Sequence, residues 1–234
     1  MKKWQWTLVA LLGIGMIVSQ YMDFIASPPE AQMGNVVRIL YFHVASAVVA
    51  FTAFGVTALL GLIFLVRKKW IWDQLARVSA EIGVVYTTFV LISGSIWGDA
   101  VWNTWWTWDP TLTTTLILWF LYLAYILLRA SIADRERAAK VASVYGFIAA
   151  IDIPIIHQSV TWWRGIHPNV ITAQGFNMPP IMVVTLLFSF LVFLGLYAVI
   201  LWISTMMAKD RDDLNDLREQ ARNALAKYDE RVGS

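Results

Sequence analysis

Five tryptophans fall within twelve residues, Trp97, Trp102, Trp105, Trp106 and Trp108, and the stretch closes on Asp109 and Pro110. A second pair, Trp162 and Trp163, is followed at once by Arg164 and then by His167. Indole rings are flat and apolar while their N–H groups still want a partner, so isolated tryptophans anchor helix ends at a membrane interface. That account suits Trp4, Trp6, Trp70 and Trp72. It suits poorly the seven of thirteen tryptophans crowded into two segments, where a stacking surface for a large, flat, apolar ligand is the better physical reading.

The chain has three histidines, His43, His157 and His167, and no cysteine. Disulfides, thiolate metal sites and a cysteine nucleophile are thereby excluded, and any metal must rest on imidazole, thioether or carboxylate. His43 and His167 are the candidate metal ligands: two imidazoles on opposite faces of a macrocycle would hold haem iron against the indoles. The alternative, that both are interfacial or hydrogen-bonded side chains, weighs more on spacing alone. His157 admits three readings, a third ligand, a reserve ligand or a polar group at a helix end, and the last is preferred.

Three further residues invite chemistry. Asp152 is an acid well inside an apolar stretch, two residues before Pro154. Such a carboxylate is either a functional group or a cap for backbone groups freed by the proline, and the cap is preferred. Asp109, at the start of a helix, reads as its N-cap. Arg164 beside two tryptophans suits a propionate or another carboxylate, or else reaches lipid phosphate.

These residues must be positioned by membrane-spanning helices. The 234 residues are 59% hydrophobic and only 15% charged, against about a quarter charged in a soluble domain, which excludes an ordinary water-soluble fold. The aromatic excess excludes disorder. About twenty apolar residues cross a bilayer as a helix, and the gaps between charges give six such stretches: 4–22, 39–66, 82–98, 111–128, 141–160 and 180–207. The fifth is interrupted by Asp152 and Pro154. The expected fold is therefore all-α and polytopic, with a six-span domain over 1–208 and a charged amphipathic tail over 209–234 that continues the sixth helix as a solvated one.

The net charge is only +2, too small to suggest nucleic-acid binding, so the placement of the charges matters more than their sum. Sixteen of the eighteen Lys and Arg fall on one side of this arrangement, leaving Arg38 and Arg164 on the other. Basic loops stay in the cytoplasm, so both termini are expected there, with the connections 23–38, 97–110 and 161–179 facing outward. His43 lies five residues beyond Arg38, about 8 Å along a helix from the outer end of the second span, so it and His167 fall on one side. No repeat, low-complexity linker or second domain is evident, and no glycine-rich phosphate loop marks an ATPase.

The run Trp97-Gly98, then Trp105-Trp106-Thr107-Trp108-Asp109-Pro110-Thr111-Leu112-Thr113, resembles the tryptophan-rich, or WWD, signature of the haem-handling proteins of cytochrome c biogenesis. Within that superfamily the six spans, Tyr41-Phe42-His43-Val44-Ala45-Ser46 and the run from Pro154 through His157 and Trp162-Trp163 to His167 resemble the cytochrome c maturation protein C, or haem exporter protein C, family. The resemblance implies b-type haem, transiently bound on the periplasmic side, with His43 and His167 as axial ligands. It implies that the loop from Trp97 to Asp109 cradles haem and meets a periplasmic haem chaperone, maturation protein E. It further implies an ATP-binding cassette of maturation proteins A and B and a small membrane protein D as partners, in the bacterial inner membrane. Many members carry Arg after the signature's Asp-Ala or Asp-Pro where this chain has Thr111, so that contact is either missing here or supplied by Arg164.

The function expected is thus haem binding at the outer face and delivery to the chaperone. With no evident nucleophile or acid–base pair, the chain is not expected to be an enzyme. Two rivals stand: a b-type cytochrome carrying electrons, which would want ligands deep in the bundle, and a haem or small-molecule permease gated by Asp152.

Overall fold

The computed structural model describes residues 3–30, 33–163, 171–172, 175–176 and 178–232. The described residues are helical almost throughout, and among them six helices or helix pairs are long and apolar enough to cross a membrane. Helix α1 (Lys3–Tyr21) continues into a single π-helical turn (Met22–Ala26). Then follow α2 (Val37–Arg67), α3 (Trp70–Trp102), α4 (Pro110–Ser131), the broken pair α5 (Arg135–Ala149) and α6 (Asp152–Trp162), and α7 (Pro180–Val232). Between α6 and α7, β1 (Ile171–Thr172) pairs antiparallel with β2 (Gly175–Phe176).

Helices α2 and α3 form the centre. Only Lys68 and Lys69 separate them, and Lys68 takes the left-handed conformation (φ 55°) that ends α2 and turns the chain back. The start of α2 therefore lies beside the end of α3. Small residues let the two backbones approach, as expected where lipid supplies no hydrophobic drive for association. Ala45, Val49, Ala50 and Ala53 are fully buried, and a Cβ placed on Gly83 would lie 2.4 Å from the Phe54 ring, which itself stacks on Tyr122 at 3.7 Å. Gly61 presses in the same way on Ser143 of α5.

Many hydroxyls inside the bundle are satisfied locally. Thr52, Thr57, Thr87, Thr88, Ser93 and Ser95 each donate to the carbonyl four residues back. Longer ties cross between helices: Ser79 Oγ donates to the Ala53 carbonyl at 2.7 Å and contacts the Tyr197 hydroxyl at 2.8 Å. Helix α1 packs chiefly on α7, where Ser19, Asp23 and Ser189 form a buried hydrogen-bonded cluster. Its Trp4 stacks on Trp202.

Three boundaries differ from the sequence expectation. The third span, read as 82–98, begins at Trp70, because Asp73 is neutralised by Arg129 and Arg77 pairs with Glu81 one turn on. The stretch 97–113, read as one outer loop, is helical at both ends: 97–102 complete α3 and 110–113 open α4, leaving 103–109 as the connection. The fifth span, read as 141–160, runs Arg135–Trp162 and breaks at Ala150 and Ile151. Pro154 then sits in the first turn of α6, where its missing N–H costs little. The tail does continue the sixth spanning helix, since α7 is one helix to Val232 with Leu214, Leu217 and Leu225 exposed.

Candidate functional site

The antiparallel pairing of α2 and α3 puts His43, in the second turn of α2, against the final turns of α3. Helix α4 enters beside them because Asp109 stops the preceding loop: its carboxylate accepts from the Thr111 N–H at 2.9 Å, and Pro110 occupies the first helical position. Helix α6 is tied to this start of α4 by the Thr111 and Ser159 hydroxyls, 2.8 Å apart.

A cavity of about 210 Å³ opens where these four helices meet. His43, Trp97, Trp102, Trp106, Thr111 and His157 line it, on a bed of apolar side chains that includes Phe51, Val90 and Ile156. Trp97 is buried and meets Trp102 edge to face at 5.3 Å. The Trp106 indole nitrogen is buried with no hydrogen-bond partner among the described residues.

The state of His43 follows from its neighbour. Ser93 Oγ lies 3.0 Å from His43 Nδ1, and the same hydroxyl donates to the Phe89 carbonyl at 2.6 Å. A Ser93 hydroxyl that donates to this carbonyl is left to accept from Nδ1–H, the arrangement in which Nε2 keeps its lone pair. A neutral imidazole so oriented is what an iron ligand requires, and such a hydrogen bond also raises the ligand's basicity. Gly94 makes room for the ring: a Cβ there would come within 3.0 Å of His43 Cε1. Ser93→Ala is accordingly expected to weaken retention of an iron porphyrin about tenfold, the lower end of what loss of such an orienting bond costs. Titration of the purified variant with haemin, followed by absorption, checks this.

Not every residue singled out from sequence reaches the cavity. Trp105 and Trp108 are 62% and 76% exposed and do not line it, although the Trp108 ring packs edge to face on Trp106. Trp162 and Trp163, at the end of α6, are also exposed and pack edge to face on each other at 5.8 Å. Asp109 is buried as the α4 cap. Arg164 and His167 lie outside the described residues. Asp152 is the first residue of α6, and its Oδ2 is buried without a partner among the described residues.

His157, for which a polar helix end was preferred over a third or a reserve ligand, shares the cavity with His43. Ser93 was missed by sequence reasoning: it gave no signal, being fifty residues from the histidine it contacts. Among the described residues no group of three His, Asp or Glu could chelate a bare metal ion. A single well-oriented imidazole amid indoles instead suits a metal that brings its own equatorial nitrogens.

A family model described as heme exporter protein C matches residues 1–221. The chain belongs to the heme exporter protein C family. It is 34% identical over 224 residues to a heme exporter protein C of Haemophilus influenzae, covering 94% of this chain and 86% of that one. A heme exporter protein C of Bradyrhizobium diazoefficiens is 33% identical over 217 residues, 92% of this chain and 78% of the relative. A cytochrome c biosynthesis ccmC-like mitochondrial protein of Marchantia polymorpha is 32% identical over 186 residues, 79% of each chain. The stretch carrying His43, the tryptophan loop and α6 lies inside all of the family match.

Proposed function

We propose that this protein handles haem for cytochrome c maturation, binding it at one membrane face and delivering it to a periplasmic haem chaperone resembling maturation protein E. The observation that carries the reading is the cavity that gathers His43 with the indoles of Trp97, Trp102 and Trp106. Family membership and the relatives' names, heme exporter and cytochrome c biosynthesis protein, support the cargo.

In this reading b-type haem is cargo, held transiently by His43 on one face of the ring and His167 on the other. The indoles exclude water from the macrocycle, and the exposed Trp105, Trp108, Trp162 and Trp163 form the rim on which the chaperone lands. Arg164 meets a propionate, in place of the Arg for which this chain has Thr111. Both termini lie in the cytoplasm of a bacterium and the cavity opens to the periplasm, following the bias of basic residues. An ATP-binding cassette of maturation proteins A and B, with the small protein D, completes the assembly. The chain itself presents haem and does not make the covalent bond.

The test is the absorption spectrum of the protein purified after co-expression with its chaperone. A Soret band and a chaperone crosslink from Trp105 or Trp108 are expected. Absence of the Soret band would overturn the haem reading; a Soret band without any crosslink in the loop would remove the chaperone from this face.

A further inference from the structure

Of the residues that line the histidine cavity, His157 alone is exposed, and every other is buried or half-buried. It therefore stands at the mouth of the cavity. The mouth exists because the fifth span is broken. Helix α5 packs on both α2 and α4, but beyond the break at Ala150 and Ile151 the chain keeps only α4 as its main neighbour. The Thr111 and Ser159 hydroxyls, 2.8 Å apart, fix α6 there. Ala47 and Phe51 of α2 and Ile156 and Val160 of α6 then line one cavity in place of an extended α2–α6 interface.

Depth decides what meets the exposed imidazole. His157 lies five residues before the end of α6 and His43 six after the start of α2, which puts both about 8–9 Å inside the helix ends. The stretch belongs to a helix pair long and apolar enough to cross a membrane, and Ile151, Pro154 and Gln158 are exposed with His157. At that level the outer side of α6 meets hydrocarbon, where a bare imidazole is costly and marks a functional group by default. The two rings also differ in support. His43 Nδ1 lies 3.0 Å from Ser93 Oγ, whereas the His157 imidazole has no hydrogen-bond partner among the described residues. Imidazoles that hold a metal permanently almost always give their second nitrogen to such a partner. His157 is thus built to hold iron briefly, and His43 to keep it.

We propose that His157 is an entry ligand: it takes the iron of a porphyrin arriving through the hydrocarbon at this end of the bundle and releases it as His43 coordinates. This deepens the proposed function and rests on it. The iron keeps its oxidation state, since the Fe–N bond to His157 breaks in exchange for one to His43 and no electron or proton is transferred. The test follows growth of the Soret band by stopped flow in the full chain reconstituted in phosphatidylcholine vesicles. Haemin is offered either dissolved in donor vesicles or carried in water by albumin. His157→Ala is expected to load from vesicles about tenfold more slowly, the order of effect when a metal site loses a supporting group, and to end at the wild-type spectrum. His157→Met, which puts a thioether ligand in the same place, keeps part of the rate. Gln158→Ala, exposed beside it but outside the cavity lining, loads as the wild type does. Equal thermal unfolding of the variants without haemin shows their folds intact. An unchanged rate in His157→Ala, or equal slowing in Gln158→Ala, would overturn the entry ligand. Loss of the final spectrum in His157→Ala would overturn it too, by making the residue a resident ligand. Slowing confined to albumin-borne haemin would overturn arrival through the hydrocarbon. A wild-type chain with no Soret band in either arm is a separate result, which overturns the haem reading itself and this inference with it.

Discussion

Replacing His43 with alanine is expected to remove the Soret band of the purified protein, with haem retention falling by at least tenfold. The histidine holds its Nδ1 3.0 Å from the Ser93 hydroxyl, and its ring is given space by Gly94. Alanine leaves the indole walls in place but removes the lone pair, so a porphyrin keeps its apolar contacts and loses its axial bond. Added imidazole is small enough for the space vacated, and should restore part of the band. Restoration separates loss of a ligand from loss of fold. Parallel variants then identify the second ligand. Under the proposed function His167→Ala loses the band and His157→Ala keeps a six-coordinate low-spin spectrum. The reverse result would move the second ligand to α6, whose His157 lines the same cavity as His43. Loss in neither His43→Ala nor His167→Ala would end the axial-ligand reading.

The spans were legible because a helix in lipid must satisfy its backbone internally and expose apolar side chains for about twenty residues, a pattern that survives without knowledge of neighbours. The Asp109 cap was legible for the same reason: cap, proline and first N–H are adjacent in sequence. What failed were features that depend on contacts across the bundle. The first three turns of α3 looked like a charged loop because Asp73 reads as a solvated charge until Arg129, fifty-six residues later, is placed against it. Ser93 looked like any intrahelical serine bonding its own backbone, and only the antiparallel return of α3 beside α2 turns that bond into a constraint on His43. The tryptophans were legible as a group but not one by one. Trp97, Trp102 and Trp106 face inward while Trp105 and Trp108 do not, a division made by where α3 ends and α4 begins.

Asp73→Ala is expected to destabilise the protein by about 3–5 kcal/mol, the usual cost of stripping the partner from a buried charge. Asp73 is 2% exposed and Arg129 15%, and the pair is bidentate, so the carboxylate neutralises the guanidinium and accepts two of its donors. Without it, Arg129 remains beside the buried Tyr125 and Leu118 face of α4 with a charge that water reaches poorly. At about 2–4 °C per kcal/mol for a chain of this size, the melting temperature in detergent should fall by roughly 10 °C. The double variant Asp73→Leu with Arg129→Leu discriminates the cause. If desolvated charge is responsible, that variant recovers most of the loss, because an apolar pair of similar volume replaces a buried ion pair at little cost. If it melts as low as Asp73→Ala, the pair matters through its geometry in joining α3 to α4, and the electrostatic account fails. The pair sits at the far end of α3 from Gly94, so molecules that stay folded should bind haem as the wild type does. Stability and ligand retention should therefore separate cleanly between Asp73→Ala and His43→Ala.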